Sequence, residues 1–144
     1  MSADSEPLDV DRLLSLWTVP PVERLDAVSD FAQLYADPVL INGLPVALPA
    51  LVDRARAIHT AFSRHHITVV DRVVNGDKVA VAFRHRATHD GPWSTSAGVV
   101  PATGKEVHGL GIDVLTMRHG RIEQIWVVAD ELQRLEQVAS PRVQ

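Results

Sequence analysis

The stretch Val107–Asp130, VHGLGIDVLTMRHGRIEQIWVVAD, reads as two long apolar strands joined at His119-Gly120 and ending in a carboxylate. A two-residue loop containing glycine is a hairpin signal that also sets the pairing. It predicts Arg118 opposite Arg121, Leu115 opposite Gln124, Asp113 opposite Trp126, Gly111 opposite Val128 and Gly109 opposite Asp130. Alternation then puts Gly109, Gly111, Asp113, Leu115, Gln124, Trp126, Val128 and Asp130 on one face. The other face carries His108, Leu110, Ile112, Val114, Ile125, Val127 and Ala129. Two glycines leave side-chain volume missing on the first face, so a cavity is expected beside Asp130. The second face is almost wholly aliphatic and needs a cover, either another layer of the chain or a second copy of it. A single bulge would shift this bookkeeping by one residue.

Length and composition narrow the field. With 144 residues the chain is expected to form one domain, residues 1–6 being a flexible tail. Lys+Arg number 14 against Asp+Glu 18, and the lack of any basic run argues against nucleic acid. The apolar runs are far shorter than the roughly 20 residues a membrane helix needs, and MSADSEPLDV is polar and acidic, so a cytoplasmic protein without a membrane association is expected. Without cysteine there is no disulfide, thiolate nucleophile or cysteine-based metal site.

Upstream, Asp9–Trp17 has the pattern of a short amphipathic helix closed by Pro20-Pro21. Val22, Leu25, Val28, Ala32 and Tyr35 recur at helical spacing and predict a second helix ended by Asp37-Pro38, before a short strand Val39–Ile41 and a turn at Asn42-Gly43. Leu51, Val52, Ala55, Ile58 and Phe62 make the stripe of a helix over Leu48–His65. Strands over Ile67–Val74 and Lys78–Thr88 flank Asn75-Gly76-Asp77, a further hairpin signal. Breaks at His89–Trp93 and Pro101–Lys105 precede the long hairpin, and Glu131–Val138 predicts a terminal helix. Helices first and antiparallel strands after, with no βαβ alternation, give an α+β layout. Helices on the concave face of a bent sheet would enclose a pocket.

The segments Thr88-His89-Asp90-Gly91, Ala102–Val107, His119–Trp126 and Asp130 together resemble the SnoaL-like polyketide cyclases, members of the cone-shaped NTF2-like superfamily. The similarity runs from the first helix to the last strand. It implies a curved, mostly antiparallel sheet with N-terminal helices packed on its concave face. It also implies aldol ring closure in secondary metabolism without metal or organic cofactor, with an aspartate at the end of the Trp-containing strand as acid/base. Asp130 matches that position. The chain departs from the pattern with Gln124 in place of Glu and Pro-Ala-Thr-Gly in place of Pro-Thr-Gly. The same architecture hosts isomerases, epoxide hydrolases and binding modules without catalysis, which stand as alternatives. An epoxide hydrolase would want arginine where Gly111 stands, unless Arg84 substituted for it.

Asp130 therefore has two readings. A carboxylate in an apolar pocket with Trp126 and Val128 would take a proton from a carbon between carbonyls. The same residue before Glu131-Leu132-Gln133 is a good helix N-cap. Asp113 is read either as a second acid or substrate contact on the same face or as a rim-exposed carboxylate. His85 shares a strand face with Val81, Phe83 and Ala87 and is either a donor to a substrate carbonyl or a core histidine. Trp17 and Tyr35 are expected on covering helices, as aromatic walls or plain core. Trp93 is expected in a lid or an interface. The spacing of His65, His66, His85 and His89 lacks a recognisable metal-binding set, so no metal is expected. The expected ligand is small, hydrophobic and rich in carbonyls, bound by Asp130, Trp126, Gln124, Asp113, His85, Tyr35 and Trp17. A homodimer through Leu110, Ile112, Val114, Ile125 and Val127 is the expected assembly.

Overall fold

The computed structural model describes residues 8–21 and 26–139. Expectations for the tail and for Val22 and Leu25 lie outside the described residues. Helix α1 (Val10–Thr18) starts where the Asp9 carboxylate accepts from the Arg12 N–H, and it buries Val10, Leu13 and Leu16. Helix α2 (Ala27–Ala32) is capped in the same way by Asp26. It is shorter than its apolar spacing suggests, because Tyr35 belongs to strand β1 (Tyr35–Ile41). There Tyr35 pairs with Ile122, and the Ile122 N–H donates to the Leu34 carbonyl. Tertiary pairing has overridden the local helical pattern.

Strand β2 (Leu44–Val46) returns antiparallel on β1 through Asn42-Gly43 and leads into α3 (Leu48–Ala61). Ala47 offers that helix no side-chain cap, and Asp37 accepts from the Leu48 N–H in its place. Phe62 is not the last residue of the helical stripe; it opens β3 (Phe62–Asn75), which forms a hairpin with β4 (Lys78–His89) across Gly76-Asp77. A small hairpin of β5 (Trp93–Thr95) and β6 (Gly98–Val100) intervenes before β7 (Glu106–Arg118), β8 (Arg121–Ala129) and α4 (Glu131–Ala139).

The main sheet has the order β2-β1-β8-β7-β4-β3, parallel only between β1 and β8. The fold is thus the expected α+β architecture, a curved, mostly antiparallel sheet with helices on its concave side. Phe31, Leu48, Leu51 and Val52 from the helices meet Val79, Val81, Leu115, Ile122 and Ile125 from the sheet in one core. A smaller cluster of Ala61, Phe62, Ala87, Val107 and Val138 lies under α4, and Trp93 packs on it rather than standing off as a lid. No helix among the described residues is long and apolar enough to cross a membrane.

The β7–β8 register differs from the simple alternation. Arg118 pairs with Arg121 and Met117 with Ile122, but Thr116 then pairs with Gln124, so Glu123 is an extra residue in β8. Its effect is to bury both Ile122 and Ile125 in one core, although they are three residues apart. Strict alternation would have sent one of them outward. Beyond the bulge every side chain of β8 changes face: Trp126 lies opposite Val114, and Val127 opposite Asp113.

Candidate active site

The concave face of β7 carries Gly109, Gly111, Asp113 and Leu115, as expected from alternation. The β8 partners on that face are Ile125 and Val127, not Gln124, Trp126 and Val128. Trp126 is 50% exposed and Val128 75%, both on the outer side of the sheet. Asp130 also stands outside the core, where its carboxylate accepts from the Gln133 N–H at 3.0 Å and caps α4. The bulge is the physical reason why these four residues do not gather around a pocket.

Asp113 faces inward between Val81 of β4 and Val127 of β8. Its Oδ1 is buried and has no hydrogen-bond partner, and burial pushes the carboxyl pKa up to about 6. On the same side lies Tyr35, whose phenolic oxygen accepts from the Trp17 indole Nε1 at 2.8 Å. Trp17, Phe31 and Tyr35 form an aromatic row, with centroids 5.7 Å and 5.8 Å apart. Burial raises the Tyr35 pKa, and the charge of Asp113 raises it further. Tyr35 is therefore a neutral phenol at ordinary pH. With its oxygen already accepting, its own O–H is available as a donor. Of the residues singled out in the sequence, the fold thus brings together Asp113, Tyr35 and Trp17.

The two glycines of β7 leave no void beside Asp130. A Cβ at Gly111 would overlap the ring of Phe83, its cross-strand partner, and a Cβ at Gly109 would overlap the guanidinium of Arg134. Arg134 is only 9% exposed. It reaches over the sheet from α4 and shares that helix's buried stripe with Val138.

His85 lies next to this cation. Its ring is 2.9 Å from that of His65, between Nε2 of His85 and Nδ1 of His65, while Nε2 of His65 is 3.0 Å from the Phe62 carbonyl. A carbonyl only accepts, so His65 carries its proton on Nε2 and takes the His85 proton on Nδ1. The Nδ1 of His85 is then an acceptor, the opposite of what bonding to a substrate carbonyl requires. Burial, Arg134, His65 and His59 together lower the His85 pKa to about 3. Burial is also the main reason that the His65 pKa is lowered.

Arg134 and His65 escaped the sequence reading as site residues. The signal for Arg134 was an arginine four residues before Val138, on the apolar stripe of the helix that follows the hairpin whose first strand carries Gly109 and Gly111. Arg84 points outward opposite Leu110, away from Asp113, and so cannot fill the place of the arginine missing at Gly111. An open groove on the outer side of the sheet, bordered by His66, Arg84, Arg86 and His108, has no carboxylate in its lining. Among the described residues no group of three or more His, Asp or Glu side chains is placed to hold a metal ion.

The family model described as SnoaL-like polyketide cyclase matches residues 20–138. Among solved structures, a candidate SnoaL-like polyketide cyclase from Jannaschia sp. CCS1 superposes with a TM-score of 0.75 at 18% identity, covering 98% of this chain and 100% of that one. IdmH, a candidate polyketide cyclase from Streptomyces antibioticus, gives 0.71 at 22% identity, with coverage of 94% and 100%. AclR, a candidate hydroxylase from Streptomyces galilaeus, gives 0.67 at 22%, with coverage of 94% and 85%. At these identities the likeness concerns the fold. No curated protein matches the chain.

Proposed function

Because the chain belongs to the SnoaL-like polyketide cyclase family, we propose that it is a cyclase-type enzyme in which Asp113 moves the proton at carbon. The observation that carries this reading is the unpartnered, buried Oδ1 of Asp113 on the same concave face as the Tyr35 phenol. A carboxylate with a raised pKa is a stronger base than an ordinary one and returns its proton readily near neutrality.

In the reaction, ionised Asp113 takes a proton from a carbon flanked by two carbonyls. The C–H electron pair becomes an enolate. Tyr35 donates its O–H to the developing oxyanion, and Trp17 holds the phenol oxygen in place. The enolate carbon attacks a second carbonyl of the same molecule, closing a ring. The resulting alkoxide takes the proton back from Asp113, so the carboxylate is regenerated. Asp130 supports this machinery as the cap of α4 rather than as its acid/base.

The test is deuterium uptake in D₂O at the acidic carbons of a panel of 1,3-diketones and β-keto esters, each with and without a remote carboxylate, followed by mass spectrometry. Exchange should be lost in Asp113→Asn and kept in Asp130→Asn. Loss in Asp130→Asn with retention in Asp113→Asn would overturn the assignment. Exchange absent from the wild type with compounds that bind would favour a binding module.

The outer face supports a homodimer with a different set of residues from the one expected. Leu110, Ile112, Trp126 and Val128 are all at least 49% exposed there. Ile125 and Val127 are withdrawn to the inner side by the bulge. Apolar side chains on adjacent strands of one face are better covered by a second copy than by water.

A further inference from the structure

Three groups lie in a row along the inner side of β7. At Gly109 the space a side chain would take is filled by the Arg134 guanidinium, at Gly111 by the Phe83 ring, and at position 113 stands the carboxylate. Four residues of strand separate the first from the last, about 13 Å. The row therefore runs from cation to aromatic surface to acid/base. That order describes a ligand as much as it describes a strand.

The cation is the unusual member. A guanidinium taken largely out of water is normally matched by a carboxylate in contact. Among the described residues, Arg134 meets no carboxylate within ion-pair distance, and its hydrogen bond goes from Nη1 to the Asp130 carbonyl at a long 3.5 Å. Asp130 and Glu131 act on it only through their fields, while burial works against its charge. His85 and His65, its neighbours on β4 and β3, are held neutral and hydrogen-bonded to one another, so neither competes with it for an anion nor neutralises it. Its position over a glycine is specific: any side chain at position 109 would have to displace it.

We propose that Arg134 is the binding site for a carboxylate of the substrate, so that the enzyme acts on a free carbonyl-rich acid rather than on its ester. The acid group pairs with the guanidinium, the planar part of the molecule lies over Phe83, and the carbon to be deprotonated reaches Asp113. A planar guanidinium offers two parallel N–H donors to a carboxylate, and an ester presents neither the charge nor two equivalent oxygens. This inference rests on the assignment of Asp113 for its far end only; the anion site stands or falls independently.

The experiment compares 2-naphthoic acid with methyl 2-naphthoate as probes, by calorimetric titration of the full chain at pH 7.5. The acid is expected to bind at least about ten-fold more tightly, a difference typical of one charge-assisted pair. Arg134→Met should abolish the preference, and Arg134→Lys should keep part of it. Gly109→Ala, which leaves the arginine in the chain but crowds its guanidinium, should weaken the acid and spare the ester; it serves if Arg134→Met does not fold. Equal affinities in the wild type, or no binding of either probe at millimolar concentration, would overturn the proposal. So would an Arg134→Met protein that melts lower yet keeps its preference, since the arginine would then be structural. Asp113→Asn should retain the preference while losing deuterium exchange, which separates failure of the anion site from failure of the proton-transfer assignment.

Discussion

The indole Nε1 of Trp17 donates to the phenolic oxygen of Tyr35 at 2.8 Å, tying the first helix to the first strand on the side of the fold that holds Asp113. This bond fixes the phenol oxygen from one direction and leaves its proton to point in another. Tyr35→Phe removes the donor to the enolate and leaves the indole N–H without its acceptor. Deuterium exchange should fall about 10²–10³-fold, as for loss of one oxyanion donor. Unfolding free energy should drop by about 1–3 kcal/mol for the unpaired indole. Trp17→Phe should lower exchange less, because the phenol stays but is less firmly held. Exchange rates and urea unfolding of both variants check this.

The pH dependence of exchange should follow Asp113. As a base it acts when ionised, so the rate should rise as pH increases through about 6 and level off above it. Stability should move the other way. The folded-state pKa lies above the ordinary aspartate value of 3.8, so between those pH values the native state binds more protons than the unfolded chain. Rising pH through this window therefore removes stability. Asp113→Asn should be more stable than the wild type above pH 6, and the gap should shrink as pH falls toward 4. Urea titrations at pH 4.5 and 7.5 measure the gap directly.

His85 contributes an opposite slope. Its folded-state pKa of about 3 lies below the ordinary 6.5, so between these values the unfolded chain binds more protons than the native state. Stability from this residue is present above pH 6.5 and is lost as pH falls toward 3. His85→Gln, which keeps a polar group beside His65, should flatten that acid loss. A variant with the same acid sensitivity as the wild type would show that His85 is not held neutral. The check is a series of thermal melts from pH 7.5 down to 4.

Much of the fold was legible because turns and stripes are local. Asn75-Gly76 marked the β3–β4 hairpin, His119-Gly120 marked the β7–β8 turn, and alternation correctly put Gly109, Gly111 and Asp113 together on one side of β7. The site was less legible because its β8 half depends on one extra residue. The apolar alternation after Glu123 reads equally well in either register, and only the burial of both Ile122 and Ile125 distinguishes them. A pair of isoleucines three apart, flanking Glu123-Gln124, was the available sign. Tyr35 was named from the sequence but placed on a helix, because its strand pairs in parallel with β8, nearly ninety positions away, and no local signal reports such a partner. Arg134 was hidden because a charged residue on a helix is ordinarily solvated, and only the glycine facing it gives it a place indoors.

Asp130 and Asp113 separate cleanly by substitution. Asp130 accepts the Gln133 N–H at the start of α4, and asparagine caps a helix about as well as aspartate. Asp130→Asn should therefore keep both stability and exchange, whereas Asp130→Ala should cost about 1 kcal/mol and reduce exchange only as far as α4 loosens. Asp113→Asn should lose exchange while gaining stability at neutral pH. Circular dichroism melts alongside exchange rates check both pairs.

The outer face gives the last prediction. Trp126 and Val128 face away from the core on β8 beside Ile112 and Leu110 on β7, and they make an apolar surface that spans two strands. If a second copy covers it, the wild type should sediment as a dimer at micromolar concentration. Trp126→Lys should shift it to monomer, because two like charges would meet near the symmetry axis of a self-paired surface. Val127→Lys is the control. Its side chain points inward opposite Asp113, so it should disturb the fold or the site rather than the assembly. The simple alternation makes the reverse prediction for these two neighbours. A wild type that sediments as a monomer would remove the dimer, and dissociation caused by Val127→Lys in a folded protein, but not by Trp126→Lys, would argue against the bulge.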